Sequence, residues 1–101
     1  MKFTFEQKGL SKIRSVVRLN GGTRSVGNVD VFYGVYSITT SDRELCAVAV
    51  GEDDELRFIT LDSLNDGIRL YELVSENEVD LSSFDAVTED HLLEKSLNNI
   101  L

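Results

Sequence analysis

Catalysis by cysteine or histidine could use only one residue of each type in this chain, Cys46 and His91. His91 lies between Asp90 and Leu92 in the first turn of a predicted helix, where a neighbouring carboxylate could orient an imidazole base. A single histidine among acids on a helix surface is more typical of a solvated residue, so we predict that it is exposed. Cys46 lies in the apolar run Leu45–Val50, which predicts a buried thiol that packs as a small hydrophobic residue.

The acidic run Glu52–Glu55 could suggest a site for a hard cation. Calcium loops, however, place their ligands at alternating positions around a glycine and add a distant bidentate acid, and this run lacks that spacing. The glycine-rich stretch 21–24 follows a predicted helix, whereas a phosphate cradle needs amides at a helix N-terminus. We therefore predict no catalytic group, no metal site and no cofactor, and expect that the protein is not an enzyme.

The chain has 101 residues, of which 42% are hydrophobic and 28% charged, a composition typical of an ordered globular protein. This length predicts one globular domain over residues 1–101. No apolar run approaches the ~20 residues that cross a bilayer. The first residues lack the apolar stretch of a secretory signal, so we expect a cytoplasmic protein.

Residues 4–20 carry a helical pattern of apolar residues. Thr4 and Gln7 have the spacing of a capping box, and Gly21 and Gly22 follow where a helix would end. Residues 13–19 also alternate in the manner of a strand, which is the competing interpretation. We predict an N-terminal helix over residues 5–19.

Three segments rich in β-branched and aromatic residues follow, at Val29–Thr40, Glu44–Val50 and Glu55–Leu61. Short polar turns separate them, which predicts an antiparallel meander. The stretch 65–67 resembles a turn that leads into a fourth strand at Ile68–Val74. A helix that begins near Ser63 is the alternative.

An acidic connector over residues 75–81 precedes a C-terminal helix, with Ser82 or Thr88 as its N-cap. Its predicted buried face consists of four aliphatic residues: Leu92, Leu93, Leu97 and Ile100. The predicted fold class is thus α+β, with an N-terminal helix, an antiparallel four-stranded meander and a C-terminal helix. Both helices could cover the same face of the sheet.

The net charge of −8 is divided unevenly along the chain. Residues 1–25 hold six basic residues and one acid, a balance of +5, whereas residues 26–101 hold seventeen acids and four basic residues, a balance of −13. The two regions could lie close together and cancel in part. Alternatively, the acids form one negative surface that attracts basic proteins and repels nucleic acid.

We therefore predict an acidic binding protein that inhibits or neutralises a basic, nucleic-acid-handling partner, such as a nuclease, a restriction enzyme or a nucleic-acid-guided effector. Both toxin immunity and anti-defence inhibition, including nucleic-acid mimicry, fit this description. We expect no direct binding to nucleic acid through Arg14, Arg18 and Arg24, because few aromatic residues lie among them. The predicted partner contacts are all acidic residues: Glu52, Asp53, Asp54, Glu55, Glu76, Glu78, Asp80, Asp85, Glu89, Asp90 and Glu94.

Two further hypotheses remain open. In the first, the chain is a structural or assembly protein that self-associates through a sheet edge or an apolar helix face, with Phe32, Tyr33, Tyr36 and Tyr71 as candidate anchors. In the second, a pocket between sheet and helices binds a small ligand. No residue selects a ligand for such a pocket.

Overall fold

A computed structural model describes the backbone of residues 13–100 and the side chains of residues 13–93. Four strands come first and two helices follow, so the protein has the predicted α+β class with a different order of elements. The elements are β1 (Ile13–Val26), β2 (Val29–Thr40), β3 (Glu44–Glu52), β4 (Glu55–Leu61), α1 (Leu64–Glu76) and α2 (Leu81–Ile100).

The four strands form one antiparallel sheet in the order of the sequence. Two-residue turns join β1 to β2 and β3 to β4 at the same end of the sheet. Gly27 in the first of these turns has φ +64°, a conformation that costs glycine little. In the second turn Asp53 takes φ +50°, which aspartate tolerates better than most residues.

The predicted N-terminal helix is wrong for every one of its residues that the structure describes. Residues 13–20 belong to β1, and residues 4–12 lie outside the described part of the chain. Val16 pairs with Ile38 and Val17 with Ser37, so long-range pairing with β2 outweighs the local helical pattern. The competing interpretation, a strand over residues 13–19, is thus the correct one, with irregularities in the register at Arg14 and Leu19.

Gly21 and Gly22 continue β1 and do not end a helix. Gly21 is paired with Gly34 of β2. A Cβ atom on Gly34 would lie 2.9 Å from atoms of both Phe32 and Tyr36. The two aromatic side chains therefore pack over the glycine, which explains why a glycine stands in the middle of this strand.

The predicted fourth strand at Ile68–Val74 is also wrong, because these residues lie in α1. Ser63 is the N-cap, and its hydroxyl accepts a hydrogen bond from the Asp66 amide at 3.4 Å. The buried residues Gly67, Leu70 and Val74 follow the spacing of one helix face. The helix beginning near Ser63 is thus the correct alternative.

The helices cover one face of the sheet. Val31, Tyr33 and Val35 of β2 face α1 and α2, together with alternate residues of β3 that include Cys46. Buried residues also line the opposite face, namely Tyr36, Ile38, Leu45, Ala47 and Ala49. Strand β3 is therefore apolar on both faces, and the predicted burial of Cys46 is confirmed.

The predicted buried face of the C-terminal helix is wrong where it can be assessed. Leu92 is 37% exposed and Leu93 is 58% exposed, while the side chains of Leu97 and Ile100 lie outside the described part. Among the side chains of α2 that the structure describes, the buried ones are Leu81, Phe84 and Thr88, which lie on one face of the helix nearer its N-terminus. The helix begins at Leu81, before both of the predicted caps.

Gly67 allows α1 to approach β3 closely. A Cβ atom at position 67 would lie 2.1 Å from Sγ of Cys46 and 2.7 Å from its Cβ. Neither contact is sterically allowed, and Cys46 cannot move aside because it is fully buried in the middle strand. The absence of a side chain at position 67 therefore sets the distance between helix and sheet.

Replacement Gly67→Ala should destabilise the protein. Alanine favours a helix by about 1 kcal/mol, but overpacking a close-packed core costs about 1–3 kcal/mol or more, and we expect the clash to prevail. Urea unfolding measures the difference, and Cys46→Ala in the same chain should restore part of the loss. An unchanged or increased stability of Gly67→Ala would contradict the close approach.

Candidate functional site

The two hairpin turns and the connector between the helices meet at one end of the sheet. Across the last row of the sheet, Arg24 pairs with Val31, Val31 with Glu52, and Glu52 with Glu55. The start of α2 lies against the same row. We call this region the acidic end and define it by seven residues: Glu52, Asp53, Asp54, Glu55, Glu78, Asp80 and Asp85.

Glu52 links the β3–β4 hairpin to α2. Its carboxylate accepts a hydrogen bond from the Leu81 amide at 2.6 Å. Leu81 is the first residue of the helix, where backbone amides have no partner within the helix and the macrodipole favours a negative charge. An acid of the hairpin thus completes the N-terminus of a helix that begins 29 residues later.

Asp80 caps the same helix from within the connector. Its carboxylate accepts hydrogen bonds from the Ser83 amide at 2.9 Å and from the Ser82 hydroxyl at 2.8 Å. These hydrogen bonds, that from the Ser82 side chain foremost, hold the pKa of Asp80 below its ordinary value of 3.8. Asp80 is therefore charged at neutral pH, and its contribution to stability is lost only as the pH falls through that lowered pKa.

Two further contacts fix the connector and α2 over the sheet. The buried Tyr33 hydroxyl donates a hydrogen bond to the Val79 carbonyl at 2.9 Å. Arg57 of β4 contacts Asp85 at 3.1 Å in an ion pair that solvent partly exposes. Such a pair adds little stability, but it orients the first turns of α2 along β4.

The electrostatics around Tyr33 are consistent with this convergence. Burial raises the pKa of the Tyr33 hydroxyl above 10.0, and the negative charge of Glu78 raises it further. Asp80 and Glu52 act in the same direction and Arg24 in the opposite one. Residues from β1, β3 and the connector therefore lie close enough to act on one hydroxyl.

The predicted contact residues divide into two groups. Glu52 and Asp80 are half-buried and hold α2 in place, so their first role is structural. Eight others are exposed: Asp53, Asp54, Glu55, Glu76, Glu78, Asp85, Glu89 and Asp90. Glu94 lies in α2, and its side chain is outside the described part.

Further exposed acids lie on the two helices beyond the acidic end. Glu89 follows Asp85 by one turn, about 6 Å along α2, and Asp90 stands beside it. Glu76 is the last residue of α1, at the entrance to the connector. Sequence analysis missed Asp30, an exposed acid that accepts a hydrogen bond from Ser25 beside the β1–β2 turn.

His91 is half-buried, so the prediction of an exposed residue is wrong. Its Nε2 atom is buried and has no hydrogen-bond partner among the described residues. Among residues 13–93, whose side chains the structure describes, no group of three or more histidine, cysteine or acidic residues has a geometry that could hold a metal ion.

No protein-family model, no curated protein and no solved structure matches this chain. Neither helix of the described residues has the length and apolar character needed to cross a membrane.

Comparison with Glu55 separates the structural role of Glu52 from the general effect of removing one negative charge. Glu52→Gln should lower the free energy of unfolding by about 0.5–2 kcal/mol, because the half-buried charge at the α2 N-terminus is lost. The matched variant Glu55→Gln removes an exposed charge of the same hairpin and should change stability by less than about 0.5 kcal/mol. Urea unfolding at neutral pH compares the two, and equal effects would contradict the assigned role of Glu52.

Proposed function

We propose that this chain is a non-catalytic binding protein that inhibits or neutralises a basic protein which handles nucleic acid. The exposed acids of the acidic end, together with Glu76, Glu89 and Asp90, are its contact residues. The observation that carries the proposal is the Glu52–Leu81 hydrogen bond, because it joins the hairpin and α2 into one surface.

The rigidity of this surface supports a stoichiometric binding role. Asp53 and Asp54 form a two-residue turn and Glu55 begins the next strand, an arrangement that leaves the backbone little freedom. Asp85 is held by Arg57 on the neighbouring strand. Charges fixed before encounter lose little conformational entropy on binding and accelerate association by steering a partner of opposite charge.

The chemistry of the surface favours a partner that normally binds phosphates. A groove that binds nucleic acid presents spaced Arg and Lys side chains, and carboxylates can pair with these groups in the same way as phosphates do. A net charge of −8 keeps the chain itself away from nucleic acid. Toxin immunity and anti-defence inhibition both require such a contact, and both would operate in the cytoplasm.

Self-association through the aromatic candidates has less support. Tyr33 is 1% exposed and Tyr36 is 7% exposed, and Phe32 and Tyr71 are half-buried in the two core clusters. Side chains that already pack in the core cannot anchor a second molecule.

The proposal is tested by affinity capture with the parent chain and with a variant that carries Asp53→Asn, Asp54→Asn and Glu55→Gln. The parent should retain a basic nucleic-acid-binding protein from a host lysate at low salt and release it at ~1 M salt, where screening is nearly complete. The variant should lose most of this capture because it lacks three exposed charges of the hairpin. Asn at position 53 suits the positive φ, so the fold should persist.

A matched control removes three exposed acids at the opposite end of the sheet, Asp42→Asn, Glu44→Gln and Asp62→Asn. This variant should capture the same protein as the parent. Duplex DNA added in excess should compete with the parent chain for the captured protein. If the parent retains no basic protein at low salt, or the triple variant captures as well as the parent, the proposed function is wrong.

A further inference from the structure

The outer edge of the sheet at β1 is open to solvent. Among the described residues, β1 pairs only with β2, and residues 14–20 and 22–25 are exposed. In an antiparallel edge strand, alternate residues direct their N–H and C=O groups away from the sheet. These groups form a template on which another extended chain can pair.

This edge lacks several of the features that protect edge strands. The 14 residues of β1 include no proline and no lysine. Three of its aliphatic side chains are well exposed, Val16 by 43%, Val17 by 54% and Leu19 by 44%. The register irregularities at Arg14 and Leu19 bound a regular stretch, residues 15–18, that carries two of these side chains.

The edge also has a charge opposite to that of the rest of the chain. Strand β1 contains Arg14, Arg18 and Arg24 and no acid. Arg18 precedes Arg24 by six residues, about 20 Å of strand, which exceeds the screening length of about 10 Å at 0.1 M salt. The half of β1 around Arg14 and Arg18 is therefore electrostatically separate from the acidic end.

We propose that the outer edge of β1 around residues 14–19 binds an acidic, extended segment of a partner protein as a fifth strand. A polypeptide supplies both the donors and the acceptors that the outward carbonyls and amides require. Because successive side chains of a strand lie on opposite faces of the sheet, its alternate apolar side chains can contact Val17 on one face, while its carboxylates pair with Arg18 on the other. Arg14 adds a second positive charge at the end of this stretch. This surface is distinct from the acidic end and would serve a second interaction.

Two other occupants fit less well. A second copy paired through its own β1 would bring two arginine-bearing strands together, and like charges across adjacent strands are unfavourable. Nucleic acid offers phosphate acceptors but few donors for the outward carbonyls, and the net charge of −8 opposes it.

The test uses two short capped peptides that alternate valine with glutamate or valine with lysine, titrated into the ¹⁵N-labelled full chain. The glutamate peptide should shift the amides of residues 14–19, whereas the lysine peptide should not. Replacement Arg14→Ser with Arg18→Ser should raise the Kd of the glutamate peptide about fivefold. The control pair Arg43→Ser with Arg69→Ser removes two exposed cations elsewhere and should leave that Kd unchanged.

Three results would overturn the proposal. In one, both peptides shift the amide resonances of β1 equally, or neither peptide shifts them. In another, dilution alone shifts the β1 amides and sedimentation shows a dimer, which would assign the edge to a second copy. In the last, a short thymidine oligonucleotide shifts these amides more strongly than the glutamate peptide, which would assign it to nucleic acid.

Discussion

The hydrogen bond from the Leu81 amide to the Glu52 carboxylate joins the helical layer to the sheet at the end where the β3–β4 hairpin turns. A helix N-terminus leaves backbone amides without partners, and a hairpin of acidic residues leaves carboxylates in mutual repulsion. The contact lessens both costs at once. Together with the Tyr33–Val79 hydrogen bond and the Arg57–Asp85 ion pair, it fixes the connector and the start of α2 over the sheet. The grouping of the acids of the hairpin with those of α2 depends on these contacts.

The close approach of α1 to β3 has a comparable role at the centre of the sheet. Gly67 lies against Cys46, and Leu70 and Val74 extend the contact along the same helix face. Among the described residues, β1 is exposed over most of its length and packs little against either helix. One sheet therefore presents two surfaces of opposite sign, a basic open edge at β1 and an acidic end at the hairpin turns. The net charge of −8 therefore conceals a basic region and an acidic region that lie apart in the structure.

Sequence patterns predicted the elements whose local and long-range preferences agree. Strands β2 and β4 have the predicted bounds, and β3 extends two residues beyond its prediction to Glu52. The predictions for residues 13–20 and Ile68–Val74 were wrong because each segment allows both a strand and a helix. Only tertiary contacts decide between the two. Pairing with β2 selected the strand, and the Ser63 cap with the Gly67 contact selected the helix.

The candidate site was predictable in composition but not in geometry. The acidic run is enough to predict that Asp53, Asp54 and Glu55 are exposed at or beside a turn, because this follows from local sequence alone. Glu52 belongs to the same run, yet its carboxylate points to a helix that begins far along the chain. Local sequence contains no signal for such a contact, since alternation in β3 gives only the face of the sheet on which Glu52 lies.

Amide hydrogen exchange at Leu81 tests this link most directly. The first amide of a helix has no partner within the helix and normally exchanges quickly. Because Leu81 donates to Glu52, we predict that its exchange is strongly slowed relative to the neighbouring Ser82 amide, and that Glu52→Ala abolishes the difference. Exchange of Leu81 at the rate of Ser82 in the parent chain would show that hairpin and helix are not joined, and the acidic end would then not be a single surface.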